Sequence, residues 1–249
     1  MDSRPFLSVV IPAYNEAENF KAGVLQPVVE YLKKQKYLWE MVFVDDGSTD
    51  DTHRLLGDFC RDRKNCRMIQ IEHGGKAAAV TAGMMAASGQ IILFTDFDQS
   101  TPTSEVSKLI TRHQQGADVV IGIRAKTQND TWVRKVRSWV FVKLVNIIAL
   151  PEIRDSQCGF KSFTNGAAQQ IFSSLQVSLP KGQINGGYMG AFDVEVLFLA
   201  KKFGCRIDQV PVNWIKVFSD KLNIWREPFM MAIDTFKVRI YDILGKYEK

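Results

Sequence analysis

Two carboxylates one residue apart, Asp96 and Asp98, follow directly on the apolar run Ile91–Thr95. The run predicts a buried strand that carries both side chains at its carboxyl end. Residues i and i+2 of an extended chain point the same way, so both carboxylates can face one hard cation, Mg²⁺ or Mn²⁺. A metal ion held there could bind a pyrophosphate. The alternative is a solvated turn after a strand.

The elements that must position these carboxylates alternate between strand-like and helix-like segments, which predicts an α/β fold with a mostly parallel sheet flanked by helices. Predicted strands are Phe6–Ile11, Glu40–Val44, Arg67–Glu72, Ile91–Thr95 and Asp118–Ile123, with Arg206–Val212 joining the sheet late. Predicted helices are Ala17–Lys34, Asp51–Lys64, Ala77–Ser88 and Ser104–Gln115.

Each of the first four strands ends in a loop of polar or small residues. In a parallel sheet these loops meet at the carboxyl edge, where open α/β sheets bind ligands. Connection and helix capping are the other explanation for each loop taken alone. The loops are Pro12–Glu16, Asp45–Ser48, His73–Lys76 and Asp98–Pro102.

The loop residues suit a nucleotide sugar. Tyr14 can lie against a flat base, and Asp45 or Asp46 can accept a hydrogen bond from the N3–H of uracil. The Gly75–Lys76 turn lets the backbone approach a ligand and supplies one cation. A divalent ion on the two aspartates of the fourth loop would offset the charge of a leaving diphosphate.

The chain has 249 residues, a formal net charge of +5 and a pI of about 9.0, which indicates contact with anions such as phosphates or an acidic membrane surface. Nucleic acid is disfavoured, because no basic and aromatic residues interleave as in known modules. The first residues lack the pattern of a signal peptide, and no apolar run reaches the ~18–20 residues of a spanning helix.

The four cysteines, Cys60, Cys66, Cys158 and Cys205, form no Cys-x-x-Cys pair and have no histidine at a ligand spacing. We therefore expect neither a zinc site nor a disulfide framework, and we predict a reduced, cytoplasmic compartment with the protein soluble or on a membrane surface.

The second half is less regular. Trp139–Leu150 predicts a buried or interfacial helix, Pro180–Gly190 a mobile segment, and Asp155–Lys161 a loop that enters a short strand. Glu227–Lys246 predicts an amphipathic helix, which packs on its own domain or lies on anionic lipid. We predict a single domain over residues 1–249, with a donor half at about 1–125 and an acceptor half at about 126–249.

The motifs Pro-Ala-Tyr-Asn-Glu at 12–16, Val-Asp-Asp-Gly-Ser at 44–48 and Asp-x-Asp at 96–98 resemble, in order and spacing, the donor half of the inverting glycosyltransferases of family 2. Asp98–Pro102 and Asp155–Lys161 resemble the branch that transfers sugars to polyprenyl phosphates, the dolichyl-phosphate β-glucosyltransferases in particular. The resemblance covers roughly residues 6 to 215. It implies the Rossmann-like GT-A fold, with Phe97 where the family usually has a small residue.

By that resemblance, Asp45 and Asp46 bind the base, and Asp96 and Asp98 contact the ribose and the metal. The residues implied for nucleotide-sugar binding are Pro12, Ala13, Tyr14, Glu16, Asp45, Asp46, Gly75, Lys76 and Asp96. For the acceptor phosphate the resemblance implies Arg124 and Arg134. Because two anions must approach each other, we predict that Arg137 and Lys161 also hold the acceptor phosphate. The residues implied for catalysis are Asp98, Arg124, Arg134 and Asp155.

The activity implied is transfer of glucose from UDP-glucose to a polyprenyl phosphate, with inversion and with Mg²⁺ or Mn²⁺. A lipid phosphate is already anionic near neutral pH and needs no strong general base. If the acceptor were a sugar hydroxyl, Asp155 or Asp193 would be the candidate base.

Two other functions stay open from the sequence. One is a mannosyltransferase that uses GDP-mannose with the same acceptor, and the other is a catalytically silent nucleotide-sugar binder that acts as a partner subunit. The expected partners are a nucleotide-sugar donor, a lipid-phosphate acceptor and a cytoplasmic membrane face. The sequence sets no oligomeric state.

Overall fold

The computed structural model describes residues 4–124, 149–179, 192–215 and 226–248. These residues form one seven-stranded sheet in the order β3-β2-β1-β4-β6-β5-β7. Strand β6 runs antiparallel to β4 and β5, and the other strands share one direction. The strands are β1 Leu7–Ala13, β2 Trp39–Asp45, β3 Cys66–Gln70, β4 Ile91–Thr95, β5 Val119–Arg124, β6 Phe160–Thr164 and β7 Ile207–Val212.

Eight α-helices lie among the described residues, and a short 3₁₀ turn at Thr103–Glu105 precedes the fifth. The helices are α1 Ala17–Lys21, α2 Gln26–Lys33, α3 Thr52–Arg61, α4 Gly75–Ala86, α5 Val106–Gln114, α6 Asn165–Phe172, α7 Phe192–Lys202 and α8 Arg226–Ile243. None of the described helices combines the length and the apolarity that crossing a bilayer requires.

The core has two layers because alternate residues of each strand point to opposite faces of the sheet. On one face Val10, Val42 and Phe94 pack with α4, α6, α7 and α8. On the other face Val9 and Phe43 pack with α2, α3 and α5. Parallel strands that are covered on both faces are apolar throughout, which explains the continuous run of β4.

The predicted α/β fold with a mostly parallel sheet is confirmed, and β4 has the predicted bounds. One predicted helix is broken: Ala17–Lys34 is two helices, α1 and α2. Gly23 between them has φ +80°, in the left-handed region that ends a helix, and Pro27 lies in the first turn of α2. The sequence pattern predicted the short strand β6 but not its place between β4 and β5.

The expectation of no disulfide is wrong for one pair of cysteines. Helix α3 ends at Arg61 and β3 begins at Cys66, and this short connection brings the Cα atoms of Cys60 and Cys66 to 5.0 Å, where a disulfide joins them. Cys158 and Cys205 are free thiols. The expectation of a reduced compartment therefore loses the support of these two residues.

Three predicted features lie wholly or mostly outside the described residues. They are the helix at Trp139–Leu150, of which only the last two residues are described, the segment Pro180–Gly190, and the first side chains of the predicted amphipathic helix Glu227–Lys246.

Candidate active site

The loops after β1 and β2 form one hydrogen-bonded unit at the carboxyl edge of the sheet. The backbone N–H of Asn15 donates to Ser48 Oγ at 3.0 Å, and Asn15 Oδ1 accepts from the backbone N–H of Thr49 at 2.8 Å. The backbone N–H of Asp46 donates to the carbonyl of Ala13 at 2.9 Å. Pro12 and Ala13 end β1 at this point, so these hydrogen bonds join the two loops directly beyond the sheet.

Glu16 closes the same unit at the start of α1. Its backbone N–H donates to Thr52 Oγ1 at 2.7 Å, and its carboxylate accepts from Asn19 Nδ2 at 2.5 Å. The residue is half-buried beside the first turn of α1. In this structure it joins the first loop to α3.

The carboxylates of Asp45 and Asp46 are buried and bonded to the loops themselves. Asp45 accepts from the backbone N–H of Ser48 at 3.1 Å and lies 3.0 Å from His53 Nδ1. Asp46 accepts from the backbone N–H groups of Gly74 and Gly75 at 2.7 and 2.9 Å. Asp46 therefore joins the second loop to the third, and its contact with a base stays a prediction.

Tyr14 carries the exposed aromatic ring of this edge, and one of its faces is already covered. The imidazole of His73 stacks on it, with ring centroids 4.2 Å apart and planes 19° from parallel. His73 Nδ1 also lies 2.9 Å from Asp46 Oδ2. The described contacts leave the other face of Tyr14 for the flat base that we predict.

Lys76, the second residue of α4, forms an ion pair with Asp96. Its Nζ lies 2.5 Å from Asp96 Oδ1, and the side chains keep 20% and 36% of their surface exposed. Burial lowers the pKa of Lys76, but the carboxylates of Asp96, Asp193 and Asp98 outweigh it and raise the pKa. The cation that the third loop was predicted to supply therefore sits among three acidic side chains.

Asp98 shapes the fourth loop. Its Oδ1 accepts from the backbone N–H of Ser100 at 2.9 Å, and Gln99 between them has φ +52°. Phe97 points the other way and is buried 6.5 Å from the ring of Phe43. The larger residue between the two aspartates is therefore part of the core, and both carboxylates stay partly exposed.

Gly159 fits against Asp96 because it has no side chain. A Cβ atom built on Gly159 would lie 2.0 Å from Asp96 Oδ2 and 2.6 Å from its Cγ. Gly159 belongs to the segment that enters β6, and β6 pairs Phe160 with Thr95 of β4. The antiparallel strand thus brings this glycine against the end of β4 and sets the place of the Asp96 carboxylate.

Arg124 and Asp155 form a two-pronged ion pair at the end of β5. Nε and Nη2 of Arg124 lie 2.8 and 2.9 Å from the two oxygens of Asp155, whose Oδ2 also accepts the backbone N–H of Arg124. Burial raises the pKa of Asp155, but the Arg124 guanidinium outweighs it and holds the pKa below its ordinary value. Asp155 is therefore an anion that already has its cation.

Lys161 is fully buried. Its Nζ lies 2.6 Å from Asp193 Oδ1 at the start of α7, donates to the carbonyl of Cys158, and sits 5.4 Å from the ring centre of Phe94. A lysine that binds an acceptor phosphate must expose its ammonium group, and the ammonium group of Lys161 is buried. Its predicted role is corrected accordingly: it holds Asp193.

Among the described residues, no group of three or more His, Cys, Asp or Glu side chains is arranged to hold a metal by itself. Mg²⁺ is usually bound by one or two carboxylates and completed by substrate phosphates and water. Asp96 and Asp98 fit that donor set, because both are partly exposed. The backbone N–H of Ser100 binds Oδ1 of Asp98, and Oδ2 is the oxygen that a metal ion could bind. Arg134 and Arg137 lie outside the described residues.

Three residues of the site were missed or underused by the sequence analysis. Gly159 had no local signal. Asp193 entered only as a candidate base. His73 is the first residue of the third loop. Its planar ring, which can stack on Tyr14 and bind a carboxylate, was the sequence feature that could have indicated its place in the site.

The strand order of the described sheet, with β6 as its antiparallel strand, is that of the GT-A fold. The chain belongs to glycosyl transferase family 2, whose family model matches residues 8–172. It is therefore an enzyme of the family 2 glycosyltransferase class.

Several curated relatives match nearly the whole chain, among them the following two. The dolichyl-phosphate beta-glucosyltransferase of Saccharomyces cerevisiae is 33% identical, over 99% of this chain and 78% of its own length. The human protein of the same name is 30% identical, over 97% of this chain and 77% of its own length. Both are proteins to which this chain is similar.

A solved structure shows the same fold at low sequence identity. Glucosyl-3-phosphoglycerate synthase from Mycobacterium tuberculosis, in complex with Mn²⁺, UDP-glucose and phosphoglyceric acid, superposes with a TM-score of 0.62. It is 18% identical, and the match covers 98% of this chain and 80% of that chain.

Proposed function

We propose that this enzyme transfers glucose from UDP-glucose to a dolichyl-type polyprenyl phosphate, with inversion at the anomeric carbon and with Mg²⁺ or Mn²⁺. The names of the curated relatives support the sugar and the lipid acceptor. The observation that carries the choice of a phosphate acceptor is the ion pairing of both candidate bases, Asp155 and Asp193.

A hydroxyl acceptor would need a carboxylate to take its proton in the transition state. Asp155 is bound by Arg124, and Asp193 is bound by Lys161, so each carboxylate would have to give up its cationic partner first. A phosphate acceptor arrives as an anion and can attack the anomeric carbon directly from the face opposite the leaving diphosphate. The paired carboxylates therefore favour phosphate.

On the donor side, the proposal assigns the base to Tyr14 with Asp45 and Asp46, and the diphosphate to Lys76 and the Gly75 turn. Pro12, Ala13 and Glu16 hold the shape of the first loop. Asp96 and Asp98 would hold the divalent ion, which when bound supplies positive charge to the leaving diphosphate.

On the acceptor side, the proposal keeps Arg124 with Arg134 and Arg137 for the lipid phosphate. Arg124 retains a third of its side-chain surface exposed although Asp155 holds its guanidinium. A guanidinium has five N–H donors, so Arg124 can bind a phosphate oxygen without leaving Asp155. We propose a single domain over residues 1–249, because strands from both halves share one sheet. We propose that it works at a cytoplasmic membrane face, where a polyprenyl phosphate would be met.

The test is to incubate the whole chain with UDP-[¹⁴C]glucose, Mn²⁺ and dolichyl phosphate in detergent, and to measure radioactivity extracted into butanol. We expect a labelled glycolipid with a β linkage. Parallel reactions with GDP-[¹⁴C]mannose test the mannosyltransferase alternative, and label from that donor alone would replace glucose in the proposal.

The variant Asp98→Asn should abolish the labelled lipid. Its matched control is Asp62→Asn, which changes an exposed aspartate just after α3 and should keep full activity. Donor binding without turnover in the unmodified protein, across both donors and several polyprenyl phosphates, would favour the silent partner subunit instead.

A further inference from the structure

Helix α8 presents a row of large apolar side chains to solvent. We define the α8 apolar face as Ile233, Phe236, Ile240 and Ile243 of the helix, together with Leu244, which follows its last residue. They recur at the three- and four-residue spacing of one helix face, and each is between 39% and 79% exposed. They account for five of the nine exposed large apolar side chains in the described part of the chain.

The opposite side of α8 is fixed to the domain, so the α8 apolar face cannot turn inward. Thr235 and Val238 are fully buried against the core. Beyond the helix, the hydroxyl of Tyr247 donates to buried Glu195 of α7 at 2.7 Å. An apolar row held outward on an anchored helix is typical of an interaction surface.

The charges beside the α8 apolar face point outward as cations. Lys237 and Arg239 are 52% and 47% exposed, while the carboxylates that pair with them, Asp234 and Asp242, are only 12% and 19% exposed. Lys246 follows, with its ammonium 4.2 Å from the ring centre of Tyr241. In the two ion pairs beside the row, the cation is therefore the member that a ligand of this surface meets first, while Glu248 is the exposed acid beyond the helix end.

This combination selects among occupants. A second copy of the chain, paired through the same face by two-fold symmetry, would bring the same cations towards each other. The surface of an anionic bilayer instead offers acyl chains to the row and acidic headgroups to its flanks, as for interfacial helices that carry Lys and Arg beside an apolar face.

We propose that the α8 apolar face docks on the surface of an anionic lipid bilayer, with α8 lying in the headgroup region. This docking rests on the proposed function in one respect: a polyprenyl-phosphate acceptor resides in a bilayer. Docking itself needs neither donor nor acceptor, so it can fail or succeed independently of glucosyl transfer.

The experiment is co-sedimentation of the whole chain with vesicles of phosphatidylcholine, with and without phosphatidylserine, in the absence of substrates. We expect binding that is stronger with phosphatidylserine. The double variant Phe236→Ser, Ile240→Ser should bind the mixed vesicles at least about tenfold more weakly, because two apolar side chains no longer enter the interface.

The matched control is Leu38→Ser. Leu38 is 58% exposed, like the residues of the α8 apolar face, but it precedes β2 at the opposite edge of the sheet from the catalytic loops. It should bind as the unmodified protein does. Equal loss in both variants, or no loss in the double variant, would overturn the proposal.

A second pair of measurements tests the flanking charges and the rival occupant. Lys237→Gln with Arg239→Gln should weaken binding to phosphatidylserine vesicles by about tenfold and leave binding to pure phosphatidylcholine unchanged. Light scattering without vesicles should give the same mass for the unmodified protein and for the variant Phe236→Ser, Ile240→Ser. If the unmodified protein is a dimer and this variant is a monomer, the face is assigned to self-association instead.

Transfer to detergent-dispersed dolichyl phosphate separates this proposal from the catalytic one. The double variant should keep that activity, because α8 contributes none of the residues assigned to catalysis.

Discussion

Two lysine–aspartate pairs lie near each other at the candidate active site, and they differ in their exposure to solvent. Lys76 and Asp96 are 2.5 Å apart with 20% and 36% of their side-chain surface exposed, whereas Lys161 and Asp193 are 2.6 Å apart with 0% and 13% exposed. Substrate or metal can therefore reach the first pair but not the lysine of the second. An exposed pair can exchange partners, while a buried pair must stay together, because an unpaired buried charge is costly.

The comparison assigns different work to the two pairs. Lys76–Asp96 joins the third and fourth loops and is where the leaving diphosphate is proposed to bind. Lys161–Asp193 joins β6 to α7 beneath it. Asp193 also helps to raise the pKa of Lys76 and of Arg124, so the carboxylate of the buried pair favours the protonated lysine of the exposed one.

The largest effect is expected on breaking the buried pair. Lys161→Met should lower the free energy of unfolding by about 3–5 kcal/mol, because Asp193 is left without its cation. Urea denaturation measures this. Adding Asp193→Asn should recover a large part of the loss. A cost below ~1 kcal/mol for the single variant would remove the distinction between the two pairs, since exposed pairs cost that little.

Gly159→Ala tests the contact that places Asp96 in the exposed pair. The new Cβ would meet the Asp96 carboxylate, so Asp96 must shift from its present position, with a stability cost of about 1–3 kcal/mol and at least about tenfold slower glucosyl transfer. The control is Gly166→Ala in α6, where a Cβ meets nothing within 4 Å. Unchanged transfer by Gly159→Ala would mean that the position of Asp96 does not matter.

Breaking the exposed pair should affect function more than stability. Lys76→Met should change the free energy of unfolding by no more than about 1 kcal/mol. It should weaken UDP-glucose binding by about tenfold or more, because a charge-assisted hydrogen bond to the diphosphate is lost. Calorimetric titration measures the binding. Lys64→Met, at an exposed position after α3, is the control and should bind as the unmodified protein does.

The smallest expected effect is a pH dependence of stability that arises from His113, close to the buried Lys161–Asp193 pair. His113 donates from Nδ1 to the carbonyl of Ala117 at 2.8 Å, so Nε2 accepts from Ser162, the neighbour of Lys161, also at 2.8 Å. Burial lowers the pKa of His113 from 6.5, although the Ala117 carbonyl and nearby carboxylates act against it. The unfolded chain therefore takes up the proton first as the pH falls.

Stability should accordingly be constant above the unfolded pKa and should decrease as the pH falls below about 6.5 towards the folded value. Urea midpoints at a series of pH values measure the decrease, and His113→Gln should flatten that part of the profile. A stability that rises on acidification through this range would contradict the neutral assignment of His113.

Much of the first half could be predicted from the sequence because its information is local. Apolar runs such as Ile91–Thr95 report strands, and polar or small residues after them report loops. The rule that parallel strands end at one edge then brings those loops together. Tyr14, Asp46, Lys76 and Asp96 all lie at that edge.

The sequence by itself determined the strands of the donor half, the carboxyl-edge loops and the family to which their motifs belong. Only the tertiary structure decided that β6 runs antiparallel beside β4, that Gly159 fits against Asp96, that Lys161 is buried on Asp193, and that Cys60 meets Cys66. The periodicity of an element records which of its faces is buried. It does not record which distant residue meets that face, because such contacts depend on strand order and on how neighbouring side chains share the same space.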